Sequence, residues 1–389
     1  MAGIQVSRER AAGTARLLFV DNLRWTMIIL VISMHAADTY SPLGNWYYTD
    51  RSPLSPAALV AFAAWQMYLQ SFFMGLLFLI AGFFVPPSLD RKGPRQFLRD
   101  RGFRLGLPVL FYMFVLGPLT EYYVAHSWTS TAPTSLANEW IKHIRNGQFL
   151  QENGPLWFCL ALLIFSAAYA GLGGRRRNPR AAHAEAPPPG TGTLIGFALA
   201  MAAATFAVRL FRPPTVLNMH LADFPQYIFL FAAGIIAARG NWLAKLPYRT
   251  GLRWMLWTLP VGFAAWLTVL FAGGAFHGNL NAYGGGWHWQ AAALNVWESF
   301  TCVAICVGLL VLYRRKRPSQ GRLARFLSAN AFSVYVFHPP IVIAAARLLH
   351  NVPAPPLVKF AALTAIAAAV TFVLSEVVFR RIPLLRAIL

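Results

Sequence analysis

The strongest constraint on this chain is a series of apolar segments, each close to the length that a bilayer requires. A membrane-spanning helix needs about 20 mostly apolar residues, and its backbone must satisfy its own hydrogen bonds there. Ten segments qualify, at 17–38, 58–85, 104–123, 155–172, 193–211, 224–239, 252–273, 290–313, 331–349 and 357–379. They predict an all-α, polytopic integral membrane bundle of about ten transmembrane helices, forming a single domain over 1–389. The first run carries charges and is longer than a signal-peptide core, so it is expected to stay as a span.

Charge then orients the bundle. The chain has 34 Lys and Arg against 13 Asp and Glu, a net charge of +21. In a soluble protein that excess would point to nucleic acid. Here the cations cluster in short loops between apolar runs, so the partner they imply is the lipid bilayer, and no nucleic acid is expected. With the N-terminus inside, only seven of the 34 basic residues fall on the outer side. Both termini are then cytoplasmic, and the location expected is the inner (cytoplasmic) membrane, multi-pass. The inner loop 173–192, GGRRRNPRAAHAEAPPPGTG, reads as a flexible connector.

The first apolar segment, FVDNLRWTMIILVISMHAADTY, is interrupted by Asp21, Arg24 and His35. Arg24 and His35 are eleven residues apart. That spacing puts them on nearly one helix face, about 16 Å apart along the axis. Ionisable groups within a span are expensive and usually face protein or a water-filled cavity. This face reads as the wall of a reaction channel.

Other stretches allow two readings each. In SFFMGLLFLIAGFFVPP, Gly75, Ala81 and Gly82 permit close helix approach, and Pro86 and Pro87 are expected to stop the helix at the inner face. In DRKGPRQFLRDRGFRLGLPVLF, Arg99, Arg101 and Arg104 crowd the inner mouth of the third span. They can snorkel to lipid phosphate or grip a phosphorylated small molecule. Trp157, in GPLWF, is either an interfacial anchor or part of a site. Glu298 falls at a depth similar to His35, where a carboxylate would orient an imidazole or make a structural pair. Ser333, Tyr335 and His338 interrupt the ninth apolar run, and Pro339 and Pro340 are expected to kink it and free backbone carbonyls.

Two outer loops, DTYSPLGNWYYTD (38–50) and HGNLNAYGGGWHW (277–289), are rich in aromatics. Such rings stack on sugars or form interfacial belts. Cys159, Cys302 and Cys306 lie within apolar runs, and no His or carboxylate nearby completes a metal set, so packing is their expected role and no metal site is predicted.

Taken together, DNLRWTMIILVISMHA, SFFMGLLFLIAGFF, RDRGFRLGLPVL, PLWF and NAFSVYVFH resemble the acyltransferase 3 family of membrane O-acyltransferases. The likeness runs nearest to the glucan biosynthesis protein C branch, which succinylates periplasmic glucans. The pieces cover most of the chain in family order, and the Arg-x10-His spacing with the later Arg-x-x-Arg is their most specific element. The resemblance implies a ten-span bundle that takes an acyl group from cytosolic acyl-CoA to an extracytoplasmic hydroxyl. It implies His35 as the catalytic histidine, Arg24 as its partner, and Arg101 and Arg104, with Arg99 beside them, as ligands of the acyl donor. Asp21, Asp38, Glu298, Trp157, Tyr335 and His338 are candidates for support. Acetyl-CoA or succinyl-CoA is the implied co-substrate, with no permanently bound cofactor, and the acceptor is a glycan or another envelope hydroxyl. The Trp-Ser-Leu-x-x-Glu signature of the O-antigen-modifying branch is missing, as is a hydrolase-like domain, which leaves the acceptor open.

Two further classes compete. A transporter or flippase would use the charged face as a translocation path, but no internal repeat of the kind many secondary transporters carry is evident. A purely structural anchor would not need ionisable groups within its spans.

Overall fold

The computed structural model describes residues 17–44, 46–50, 52–128, 135–150, 153–173 and 187–389. Among these, ten helices are long and apolar enough to cross a membrane: Leu18–Tyr40, Pro56–Lys92, Pro94–Val124, Gly154–Gly171, Thr191–Leu210, Leu221–Gly240, Tyr248–Ala272, Trp289–Lys316, Arg322–Leu349 and Pro356–Arg381. They are called the first to tenth spans below. The bundle is all-α apart from a two-residue hairpin pairing Thr215 with His220 and Val216 with Met219. The connector expected at 173–192 falls mostly, at 174–186, outside the described residues.

The second span organises one half of the bundle, packing on the sixth and the eighth. Its small residues explain the close fit. A Cβ on Gly82 would collide with the carbonyl of Phe231, and one on Gly234 would collide with the carbonyl of Leu79. Two backbones can approach this closely only where neither helix carries a side chain. Ser55 starts the second span by accepting the Ala58 amide, and Pro56 occupies the position where a missing N–H costs nothing. Contrary to the expectation from sequence, Pro86 and Pro87 do not stop this helix; it continues to Lys92. The stop is Gly93, whose φ of 73° only glycine adopts readily and whose amide caps Leu89.

The third span begins at Pro94, ten residues before the expected 104, because the basic stretch after Gly93 is already helical. It contains two turns of π-helix, Gly102–Gly106 and Tyr112–Leu116. Widened turns misalign backbone carbonyls. At the second of them a short amphipathic helix, Leu136–Arg145, supplies donors: Trp140 Nε1 bonds the Phe114 carbonyl at 2.7 Å, and a ring nitrogen of His143 bonds that of Met113 at 3.1 Å.

The first span lies between the halves, against the second, ninth and tenth. Phe19, Leu23, Met27 and Val31 join the core built on the second span, whereas Ile28, Ile32, Ala36 and Ala37 join that built on the ninth. His35 and Asp38 are therefore carried inside the protein, whereas the Arg24 side chain stays 40% exposed. At its first turn, Asn22 donates to the carbonyls of Arg317 and Ser319 at 2.9 and 3.0 Å.

Candidate functional site

His35 sits in the last third of the first span, with a side chain 20% exposed. Asp38, one turn on, lies 3.2 Å from its Nδ1. A carboxylate only accepts, so Nδ1 carries the proton and donates to Asp38 Oδ2. Asp38 is in turn held by Gln66 of the second span, whose Nε2 donates to Oδ1 at 2.7 Å. Behind it sits Gly44, where a Cβ would overlap the Asp38 carboxylate. The ring is thus fixed in one tautomer and its Nε2 is left with a lone pair.

Two rings lie nearly parallel to the imidazole. Trp46, from the loop after the first span, stacks at 3.8 Å with a 16° interplanar angle, and His338 lies at 5.3 Å and 14°. The placement of His338 follows from the prolines. Pro339 has no N–H to give the Tyr335 carbonyl, and His338 Nδ1 donates to it instead at 2.9 Å. The helix nonetheless continues from Arg322 to Leu349. The His338 Nε2 is buried and without a partner. Tyr335 donates to the Pro155 carbonyl and packs edge-on to Phe158, which ties the start of the fourth span to this place.

The loop carrying Trp46 is anchored on several sides. Asp50 donates its amide to the Thr39 carbonyl at 2.7 Å, and the Tyr47 and Tyr112 hydroxyls are 3.1 Å apart. Tyr48 bonds His350 Nδ1 at 2.8 Å, and the Asp50 carboxylate pairs with Lys359 at 3.5 Å. Burial pushes the Asp50 carboxyl up, but hydrogen bonds from Ser52 and the Lys359 ammonium outweigh it and hold it below the usual carboxylate range.

At the other end of the first span, Arg24 bonds Asp21 at 3.2 Å and lies 4.8 Å over the Phe84 ring. Arg101 lies over Phe97 at 5.3 Å, and the charges of Arg104 and Arg24 both act on it. Guanidiniums gathered against their own repulsion make a place for a polyanion. Arg99 and Arg104 are exposed on the same helix. Arg24 and His35 share one uninterrupted helix, so the basic group and the imidazole are separated by a rise of about 16 Å.

Residues 17–376 match the family model of the acyltransferase 3 domain, described as an acyltransferase domain. The chain belongs to the acyltransferase 3 family. No curated protein and no solved structure matches it. Family and fold agree on a multi-pass membrane acyltransferase, and the match takes in every residue of the site described above.

Not every candidate joins this cluster around His35. Glu298 pairs with Arg209 at 2.8 Å, and Arg209 also binds Asp223 at 2.8 Å and the side chain of Asn295. Its partner is thus the fifth span; the carboxylate on His35 is that of Asp38. Trp157 packs inside the core, 5.5 Å from Tyr227 and 6.4 Å from Phe78, rather than standing as an interfacial anchor. The Cys302 and Cys306 sulfurs are 4.0 Å apart as thiols, and Gln226 donates to Cys302. Ser333 is buried, and its hydroxyl has no hydrogen-bond partner. Sequence reasoning missed Gln66, Gly44 and the individual place of Trp46. Of these, only Gln66, a polar side chain inside an apolar run, left a signal that could have been read.

Proposed function

We propose that this acyltransferase moves an acyl group from cytosolic acyl-CoA to a hydroxyl of an extracytoplasmic glycan or other cell-envelope acceptor. The observation that carries the reading is the fixed tautomer of His35, bonded through Nδ1 to an Asp38 that Gln66 holds in turn. An imidazole so held offers Nε2 as a general base. Nε2 takes the proton of the acceptor hydroxyl as its oxygen attacks the thioester carbonyl. The tetrahedral intermediate then collapses, the carbon–sulfur bond breaks, and the proton passes from Nε2 to the departing CoA sulfur. Transfer is direct, with no acyl-histidine.

Arg101 and Arg104 are the proposed holders of the CoA phosphates, with Arg99 beside them; Arg24, about 16 Å along the helix from His35, joins them instead of acting as a direct partner of the imidazole. An extended pantetheine arm covers a distance similar to the ~16 Å rise to His35. The face bearing these arginines is assigned to the cytosol by the positive-inside rule, in the inner membrane. By resemblance to the glucan-succinylating branch, succinyl-CoA and a periplasmic glucan are the first pair to try, with acetyl-CoA as the alternative donor.

The test is sided acyl transfer in proteoliposomes of known orientation, read as CoA thiol release with ester formation on the glucan. Donor supplied to the arginine-bearing face should support turnover, and Arg101→Gln with Arg104→Gln should raise the donor KM at least tenfold. Turnover from the opposite face alone would refute the donor path. Glucan movement without thiol release would favour a transporter.

A further inference from the structure

Acyl transfer through a tetrahedral intermediate needs more than a base. The thioester carbonyl oxygen becomes an oxyanion, and in a buried site a hydrogen-bond donor has to be waiting there. His35 Nε2 cannot serve, because it is occupied with the hydroxyl proton. Asp38 only accepts, and the Gln66 amide that bonds it lies beyond that carboxylate, on the Nδ1 side of the ring rather than the Nε2 side. The Tyr40 hydroxyl, Gln66 Oε1 and His338 Nε2 are buried and unpartnered, but the last two are acceptors. His338 has its one N–H on the Tyr335 carbonyl. Tyr40 follows His35 by five residues on the same helix, about 140° further round the axis.

The ring stacked on His35 differs. Trp46 lies nearly parallel to the imidazole, with ring centres 3.8 Å apart. Its Nε1 is buried and has no hydrogen-bond partner. An indole nitrogen only donates, and buried Trp N–H groups usually find an acceptor. The loop that holds it is fixed by the Asp50 amide on Thr39, by Tyr47 on Tyr112, by Tyr48 on His350 and by Asp50 on Lys359. A donor stabilises a transition state best when its position is set before the charge appears, and these anchors set it.

We propose that the indole N–H of Trp46 is the oxyanion donor of this acyltransferase, receiving the negative charge that develops on the thioester oxygen as the carbon–oxygen bond forms at His35. Trp46 is thereby a catalytic residue and not only a ring stacked on His35. The step balances: the hydroxyl proton goes to His35 Nε2, the electron pair of the carbonyl π bond to the oxygen bonded by Trp46. On collapse the pair returns, the carbon–sulfur bond breaks, and the thiolate takes the proton back from Nε2. The inference rests on the acyl-transfer reading above.

The experiment is steady-state kinetics of full-length protein in proteoliposomes with succinyl-CoA or acetyl-CoA, comparing wild type, Trp46→Phe and a variant with benzothienylalanine at position 46. Phenylalanine keeps a stacked ring and removes the N–H. Benzothienylalanine keeps the full bicyclic shape with sulfur in place of N–H. Both should lose about 10²–10³ in kcat, with donor KM within about twofold of wild type. If Trp46→Phe fails to fold, the isosteric variant decides. Wild-type kcat in the benzothienylalanine protein overturns the proposal, because stacking alone would then suffice. Wild-type protein that transfers nothing, or a fully active His35→Ala, would sink the acyl-transfer reading itself, so the two failures are told apart.

Discussion

Replacing Asp38 with asparagine removes one negative charge from the site and almost no volume. The carboxylate accepts two hydrogen bonds, from His35 Nδ1 at 3.2 Å and from Gln66 Nε2 at 2.7 Å. Asparagine offers one oxygen and one NH₂, so one of the two donors must lose its acceptor unless something turns. Gln66 can turn, because its Oε1 is buried and without a partner. Flipped, it accepts the asparagine Nδ2 and leaves the asparagine Oδ1 for His35. The imidazole then keeps its tautomer, and what is lost is the carboxylate that steadies the imidazolium formed during transfer. Hydrogen bonds to charged groups contribute about 1.5–3 kcal/mol against 0.5–1.5 for neutral ones. The difference, roughly 1–2 kcal/mol, corresponds to about a 5- to 30-fold fall in kcat. Gln66→Leu removes the group that orients the new amide. The introduced asparagine is then free to turn its NH₂ toward His35 and impose the tautomer with the proton on Nε2, which cannot act as base. The double variant should therefore lose far more than the product of the two single losses, a coupling that a double-mutant cycle in proteoliposomes measures. Wild-type kcat in Asp38→Asn, or simple additivity of the pair, would refute the hydrogen-bonded chain as the device that prepares His35.

Three further perturbations separate site from scaffold. Gly44→Ala drives a methyl group into the Asp38 carboxylate and should lower kcat severalfold with the protein still folded, as size-exclusion chromatography of the detergent-solubilised variant checks. Glu298→Gln leaves Arg209 buried with Asp223 as its remaining carboxylate. It should lower thermal stability by about 1–3 kcal/mol while turnover per folded molecule stays near wild type; a selective loss of kcat would place Glu298 in the reaction instead. Asp50 has a folded-state pKa held below its ordinary value, so it stabilises the Trp46 loop above pH ~4 and loses that contribution only as pH falls through the lowered value. Limited proteolysis of the loop at 41–55 should be flat from neutral pH down to that range, and Asp50→Asn should raise it at neutral pH.

The spans were readable because hydropathy over about 20 residues is a long-range average that local exceptions do not disturb. Their ends were harder. The third span starts at Pro94 because a basic amphipathic turn is still helical, and in sequence a basic turn resembles a loop. The second runs past Pro86 and Pro87 because Gly93, not proline, provides the left-handed turn. In the site, the His35–Asp38 pair is local, one turn apart on one helix, and spacing alone proposes it. The Glu298–Arg209 pair spans 89 positions, so depth suggested a partner for Glu298 and could not name it. Trp46 lay in an aromatic loop whose composition fits an interfacial belt or a sugar platform; only the fold lays its ring on His35. Gly44 gave no sign at all, since its role is the space that a side chain would take from Asp38.

The central claim is that His35 is the base in an acyl transfer. It is tested most directly by single-turnover transfer of a radiolabelled acyl group from CoA to a glucan acceptor in proteoliposomes, comparing wild type with His35→Ala at equal folded protein. The account predicts acyl-glucan and free CoA thiol in stoichiometric amounts with wild type, and loss of both by at least 10²-fold in the variant. Equal transfer by the two proteins would contradict it.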